Sequence, residues 1–396
     1  MDYLSPPTEE FLASKGRVTT LGMLIIDHYA LRDQDGNETM TEEESVSAIL
    51  EADMLILETD YDCNDLEDRR RWCIRCKAMI SSRMFLPPSQ CGLIVDKGDD
   101  FPSKFTIILK GYDKEMFWFR PRKGKTTRAL NIYSGGKIGQ GHQSFKYLSP
   151  QLNLLPHDLI LPPSPFATPN LPEYIHVVCN TARAKLIVDE MRDIRENGID
   201  GIGRGWNGKL IWEPMPSSCV PSELDDILSL SRSFTVISPN LLELQSILGI
   251  PPTKSSIMEL AEEAVQKFHQ LLSQGMTDRS EVNVPAIIVR CGELGSYTFS
   301  DGWKGWVPAY YGEADQDKVV DPTGGGNSFL GGLLAGLLIS QGDMKIASIY
   351  AATAASFTIE QRGLPTLTVH EDGERWNDED VWKRLRELAV RVDKMN

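Results

Sequence analysis

The chain has 396 residues, of which 41% are hydrophobic and 24% charged, and its formal net charge is −15. This length and composition are typical of a globular protein built as one large α/β domain with an appendage, or as two domains. The negative charge and the lack of a basic stripe argue against a nucleic-acid partner, although a phosphorylated ligand needs only a local positive pocket.

The N-terminal residues carry no leader pattern, and the longest apolar run, 329–339, is shorter than the roughly 20 residues that span a bilayer. We therefore expect a cytoplasmic protein without a membrane partner. The seven cysteines are odd in number and scattered, which favours a reducing compartment. Cys73 and Cys76 have a metal-chelating spacing, but a second closely spaced pair is missing, so unligated thiols are expected.

The first third of the chain has a mixed pattern. Residues 19–29, TTLGMLIIDHY, predict a buried first strand that ends at the carboxylate of Asp27. Residues 37–80 mix charges of both signs and show little strand pattern, so we interpret them as an atypical segment, either a true insertion or wrongly joined coding sequence. Residues 104–112, 115–121 and 128–133 predict partly exposed strands of a small β-lid over about 100–147.

A proline-rich connection at 161–172 is followed by strands that alternate with helices of 10–16 residues. This alternation predicts βαβ units and a mainly parallel sheet in one domain, a three-layer α/β/α sandwich. Ligands of such sheets bind beyond the carboxyl ends of the strands. The residues at these ends are Asp27, Asn180, Glu213, Asn240, Gly292 and Asp321.

The strongest motif is Asp-Pro-Thr-Gly-Gly-Gly-Asn at 321–327, between a strand end and an apolar helix. Consecutive glycine N–H groups at a helix start add to the helix dipole, and the lack of Cβ atoms lets an anion approach them. A tight turn that merely needs close packing would also use glycine. Three glycines flanked by Asp321 and Asn327 exceed that need, so we favour a phosphate-binding turn.

This stretch resembles the Asp-Thr-x-Gly-Ala-Gly-Asp signature of the PfkB (ribokinase-like) carbohydrate kinases, in particular a fungal branch associated with killer-virus maintenance. GMLIID at 22–27, ISPNLLEL at 237–244, VRCGELGS at 289–296 and AASFTIEQRG at 354–363 are similar to further motifs of that family. The similarity covers most of residues 84–370. It implies a ribokinase-like fold with a small lid, ATP and Mg²⁺ as cofactors, a sugar or sugar-like substrate, and room for a homodimer.

The resemblance also implies roles for individual residues. The catalytic group would be the amides of Gly324, Gly325 and Gly326 with position 327 as the proton acceptor, and substrate hydroxyls would bind Asp27 and Asp321. Nucleotide and Mg²⁺ would be held at Asn240, Glu243, Gly292, Gly295 and Thr323, with Glu243 acting on Mg²⁺ indirectly. The pattern at Asn240 and Glu243 equally predicts an ordinary helix capping box, and the capping and metal roles are compatible.

Two departures bear on activity. Position 327 is Asn, whose amide cannot accept a proton from an attacking hydroxyl, and Pro322 replaces the family's threonine. The glycine pair that shapes the family's sugar pocket is not found between Asp27 and Cys91. The leading hypothesis is a kinase with altered chemistry, and the alternative is a nucleotide- or sugar-binding pseudokinase that acts through protein partners. A dinucleotide-dependent oxidoreductase is disfavoured, because no glycine fingerprint follows the first strand.

Overall fold

A computed structural model describes residues 3–32, 76–134, 142–150, 152–167, 170–251, 256–274 and 284–395, without the side chains of 27–32, 131–134 and 142–145. Most of the atypical segment 37–80 therefore lies outside the described residues.

The described elements are helices and strands that alternate along most of the chain. The helices are α1 (Glu9–Ala13), α2 (Cys76–Arg83), α3 (Ser103–Gly111), α4 (Pro156–Ile160), α5 (Thr181–Asn197), α6 (Leu224–Ser231), α7 (Leu241–Ile247), α8 (Ile257–Ser273), α9 (Gly325–Ser340), α10 (Met344–Ile359) and α11 (Val381–Met395). The strands are β1 (Arg17–Thr20), β2 (Ile26–Arg32), β3 (Cys91–Lys97), β4 (Phe117–Pro121), β5 (Arg128–Ser134), β6 (His142–Tyr147), β7 (Pro172–Cys179), β8 (Lys209–Pro214), β9 (Val236–Ile237), β10 (Ala286–Arg290), β11 (Ser296–Phe299), β12 (Lys304–Val307), β13 (Leu367–His370) and β14 (Gly373–Trp376).

The central sheet has nine strands in the order β12-β11-β10-β9-β8-β7-β1-β3-β4. Each strand from β10 to β4 in this order is parallel to its neighbour. At the other edge, β11 is antiparallel to β10, and β12 is antiparallel to β11. The predicted mainly parallel α/β fold is thus confirmed. Because parallel strands share one carboxyl edge, the turns after β8, β9 and β10 lie side by side.

Both faces of this sheet are covered by helices. Ile288 of β10 packs into a cluster with α2, α9, α10 and α11, whereas its neighbours Ile287 and Val289 pack into a second cluster with α5, α7 and α8. Successive side chains of a strand point to opposite faces, so β10 divides the two cores. None of the described helices is long and apolar enough to cross a membrane.

A second sheet of three strands contains β2 parallel to β5, with β6 antiparallel to β5. The single strand predicted over 19–29 is therefore wrong, since its first part is β1 of the central sheet and its second part is β2 of the small sheet. Asp27 pairs with Ala129 within the small sheet and does not end a strand of the central one.

The strand predicted at 104–112 is also wrong, because α3 occupies that stretch. Its buried residues, Phe105 and Leu109, are four positions apart, which is the spacing of one helical face. The next predicted strand forms, as β4, but pairs with β3 at the edge of the central sheet.

Helix α2 lies at the end of the segment that we interpreted as an insertion, and every one of its residues is buried. It packs against α9 where α9 carries glycine. A Cβ at Gly331 would lie 1.9 Å from the carbonyl oxygen of Ala78, and one at Gly332 would lie 2.5 Å from that of Tyr350 in α10. The two glycines let α9 fit between two backbones.

The substitution Gly331→Ala should therefore destabilise the protein, although alanine forms helices better than glycine by about 1 kcal/mol. The clash is with backbone rather than a movable side chain, and overpacking costs about 1–3 kcal/mol or more. Urea denaturation would measure the change. The control, Gly302→Ala, has no heavy atom within 4 Å of the added methyl and should be neutral. Equal midpoints for the two variants would contradict this packing.

Candidate functional site

The glycine turn begins α9 at the carboxyl edge of the central sheet. Gly324 has φ +82° and ψ 2°, a left-handed conformation that glycine adopts without strain, and the N–H of Gly325 donates to the carbonyl of Pro322. The first bond of the α9 ladder runs from Ser328 N to Gly324 O. The N–H groups of Gly326 and Asn327 precede that bond, so they have no partner within the helix and are suited to an anion.

Two polar contacts hold the turn. Oδ1 of Asp321 accepts the N–H of Thr323 at 2.9 Å, and the carbonyl of Thr323 accepts a hydrogen bond from Nζ of Lys77 at 2.6 Å. Lys77 comes from α2 and is only 3% exposed. A Cβ atom added to Gly324 would lie 2.4 Å from Cδ of Lys77. A buried ammonium thus lies against the turn and adds positive charge to the positive end of α9.

Some polar atoms of the turn have no hydrogen-bond partner among the described residues. They are Oδ1 of Asn327 and Oγ1 of Thr323, both shielded from solvent. Buried polar atoms are nearly always satisfied in folded proteins. Unsatisfied acceptors beside unbonded helix amides indicate that this turn is shaped for a polar ligand.

Arg290, at the end of β10, brings a second positive charge to the turn. Its Nη1 lies 2.1 Å from the position that a Cβ of Gly326 would take. The guanidinium pairs with Glu213 at 2.9 Å, approaches Glu243 at 3.7 Å and donates to the carbonyl of Ser238. The structure thus pairs this arginine with carboxylates.

Glu213, at the end of β8, links this arginine to a buried histidine. Its Oε2 lies 3.2 Å from Nε2 of His176, whose Nδ1 lies 3.2 Å from the hydroxyl of Thr20. His176 is fully buried and Glu213 is 8% exposed. The chain of contacts crosses from β1 through β7 and β8 to β10, so the carboxyl edge of the sheet carries a continuous polar network.

Asn240 and Glu243 form the capping box that the sequence predicted. The side chain of Asn240 accepts the N–H of Glu243 at 2.9 Å, and Oε2 of Glu243 accepts the N–H of Asn240 at 2.7 Å. Burial raises the pKa of Glu243, with Arg290 and the Asn240 hydrogen bond acting in the opposite direction and Glu213 adding to the rise. The capping role fixes Glu243 beside Arg290 and leaves its metal role a prediction.

The remaining predicted residues lie in other places. Gly292 and Gly295 form the turn between β10 and β11 with φ of +59° and +94°. A Cβ at Gly295 would lie 2.1 Å from the carbonyl oxygen of Val307, so that glycine has a packing reason as well. Asp27 belongs to the small sheet, and its side chain lies outside the described residues.

In the described ranges, no group of three or more His, Cys, Asp and Glu side chains is placed to hold a metal. Cys76 and Cys91 are buried thiols, and burial raises the pKa of Cys91 to about 12. That thiol therefore stays protonated at neutral pH. Cys73 lies outside the described residues.

The fold is that of ribokinase-like proteins. Solved structures of a ribokinase from Giardia lamblia (TM-score 0.55, 14% identity) and an adenosine kinase from Sinorhizobium meliloti (TM-score 0.54, 17% identity) superpose on 97% and 88% of this chain, and on 100% and 95% of their own lengths. At these identities the likeness concerns the fold alone.

The sequence comparisons find a family model that matches part of the chain. The model of the pfkB family carbohydrate kinases matches residues 209–370, a range that contains the glycine turn, Arg290 and the capping box. The predicted resemblance to that family is confirmed for this part of the chain.

Two fungal relatives cover more of the chain. Protein MAK32 of Saccharomyces cerevisiae is 29% identical over 282 residues, 69% of this chain and 71% of the relative. An uncharacterised protein of Schizosaccharomyces pombe is 29% identical over 321 residues, 78% of this chain and 83% of the relative.

The contact between α2 and the turn can be tested with Gly324→Ala. The substitution adds a left-handed strain of roughly 1–2 kcal/mol and a methyl that must displace Lys77. The matched control is Gly124→Ala, because Gly124 has nearly the same φ, +84°, and no heavy atom within 4 Å of the added methyl. Urea denaturation should show the larger loss for Gly324→Ala, by about 1–3 kcal/mol. Equal losses would mean that Lys77 does not press on the turn.

Proposed function

We propose that the protein is a pfkB-type carbohydrate kinase that transfers the γ-phosphoryl group of ATP to a hydroxyl of a sugar or sugar-like acceptor. The observation that carries this proposal is the glycine turn, where the N–H groups of Gly326 and Asn327 have no partner within the helix and Lys77 and Arg290 bring positive charge close to them. Amides and cations fixed before the reaction stabilise charge that develops on a transferring phosphoryl group.

The proposed roles combine the family resemblance with the geometry of the glycine turn. The amides of Gly324 and Gly326 would hold the transferring phosphoryl group together with that of Asn327, because the predicted donor Gly325 already gives its N–H to the carbonyl of Pro322. The side chain of Asn327, in the first turn of α9, would orient the attacking hydroxyl. Asp321 is already used by Thr323 through one oxygen, so its other oxygen would contact the acceptor, as would Asp27. The nucleotide would extend toward Thr323 and the turn at Gly292 and Gly295.

The carboxylates beside the turn suit Mg²⁺ only indirectly. Oε2 of Glu243 is engaged by the Asn240 amide, and both oxygens of Glu213 contact protein groups. Mg²⁺ keeps several waters and binds mainly through substrate phosphates, so Glu243 and Asn240 would hold its waters rather than the ion. When bound with ATP, the ion would neutralise the phosphate charge that this acidic protein otherwise repels.

A second candidate is a binding protein without turnover, and one observation favours it. Asn327 stands where the reaction needs a proton acceptor, and an amide has no accessible protonation equilibrium. Such a protein would bind nucleotide or sugar and act through protein partners. Phosphoryl transfer depends mostly on positioning and charge, so the loss of a base reduces the rate without abolishing it.

Asn327→Asp should raise turnover by about 10²–10⁴-fold, the usual contribution of general-base catalysis, while Asn327→Ala should not. The purified protein and both variants would be given Mg-ATP with a panel of sugars and nucleosides, and ADP release and melting temperature would be followed. Melting shifts without ADP release from any form would favour the binding role. No shift and no release in the wild type would overturn both candidates.

A further inference from the structure

The guanidinium of Arg290 lies at the positive end of α9, where a cation is normally unfavourable. The helix dipole favours anions at this end and repels cations. Lys77 brings a second buried positive charge to the same turn. Positive groups therefore border the glycine turn from α2 at Gly324, from β10 at Gly326 and from α9 itself, and such an arrangement is stable only when an anion lies among them.

In the described structure that anion is the carboxylate of Glu213. Its Oε1 lies 2.9 Å from Nη1 of Arg290 and 3.8 Å from the Cβ position of Gly326. The carboxylate thus lies next to Gly326 and occupies the guanidinium that a phosphate at this turn would use. His176 holds the opposite oxygen at 3.2 Å, which fixes Glu213 in this place.

The pair leaves part of the local hydrogen-bonding capacity unused. Nε of Arg290 is shielded from solvent and makes no hydrogen bond to any described residue, and the same holds for Oγ1 of Thr323, whose side chain is more than nine-tenths buried. A guanidinium offers five donors in one plane and suits a phosphate through two parallel bonds. The Glu213 carboxylate contacts only Nη1, so the Nε–H of Arg290 is left without an acceptor among the described residues.

We propose that Arg290 is a phosphate-binding residue and that Glu213 is its internal competitor, an anion that occupies the guanidinium until a nucleotide phosphate takes its place. The proposal rests on the function proposed above, because it assigns that same turn a terminal phosphate. Arg290 is fixed by Ser238 and by Glu243, so it can exchange the Glu213 carboxylate for a phosphate without leaving its position.

The competing explanation is a purely structural ion pair, and it predicts a different pattern of variants. If the pair only stabilises the fold, removing either partner leaves an unpaired buried charge and weakens every property of the site together. If Glu213 competes with phosphate, removing its charge has the opposite effect from removing Arg290. Opposite signs of the two effects on affinity therefore distinguish the explanations.

The experiment measures the affinity for tripolyphosphate, with adenosine as an uncharged probe, by isothermal titration calorimetry. Arg290→Met should weaken tripolyphosphate binding by about 10- to 100-fold, the loss of a charge-assisted bond, and Arg290→Lys should lie between it and the wild type. Glu213→Gln keeps size and hydrogen bonding while it removes the charge, and should tighten binding several-fold. Adenosine affinity should be unchanged in all three.

The matched control is Arg120→Met. Arg120 also pairs with two carboxylates, Asp96 at 2.8 Å and Asp158 at 2.6 Å, but it lies on β4 at the far edge of the sheet. The Arg120→Met substitution should leave the affinity for tripolyphosphate unchanged, whatever its effect on the free energy of unfolding. Gly326→Ala provides a variant that keeps every charge, and its methyl should displace the flexible guanidinium and weaken tripolyphosphate binding.

Tripolyphosphate binding that is unchanged in Arg290→Met, or weakened in Glu213→Gln as much as in Arg290→Met, would overturn this inference and leave the proposed function standing. A wild-type protein that binds neither tripolyphosphate nor Mg-ATP would overturn both. The two failures are therefore distinguishable in one set of titrations.

Discussion

The site depends on how closely the backbone of α9 approaches its neighbours. A helix can touch another backbone only where it has no side chain, and α9 has glycines where α2 and α10 cross it. This contact fixes the position of Lys77, which in turn holds the carbonyl of Thr323 and so the geometry of the glycine turn. The shape of the anion site therefore depends directly on the packing of the core.

Charge is arranged around the turn in an unusual way for an acidic protein. The chain carries a formal charge of −15, yet the start of α9 is bordered by a buried lysine and by an arginine whose side chain is 14% exposed. The carboxylate of Glu213 pairs with the arginine, and the capping box places Glu243 near the same guanidinium. A negatively charged ligand that binds here would compete with Glu213 and Glu243 for the guanidinium of Arg290.

Much of the fold could be predicted from the sequence, because its signals are local. The alternation of apolar strands and capped helices from β7 onward corresponds to the observed elements, and ISPNLLEL contains the capping box that starts α7. The apolar run of 104–112 predicts a strand, but α3 forms there, because Phe105 and Leu109 have helical spacing and are buried on one face.

The site was only partly predictable, because its missing members are joined by long-range contacts. The glycine turn is contiguous and was found from its motif. Lys77 lies 246 positions from the carbonyl it contacts, within a stretch whose mixed charges gave no pattern. Arg290 and Glu213 come from β10 and β8, which lie on either side of β9 only in the folded sheet, so the sequence does not show that they pair.

The position of α2 has a consequence for the gene that encodes this chain. Residues 76–83 pack against α9 and supply the lysine that contacts the turn, although the first five of them belong to the atypical segment. Any shorter isoform or corrected exon boundary must keep this octapeptide, whatever it removes upstream. A transcript that lost it would encode a protein without one wall of its core.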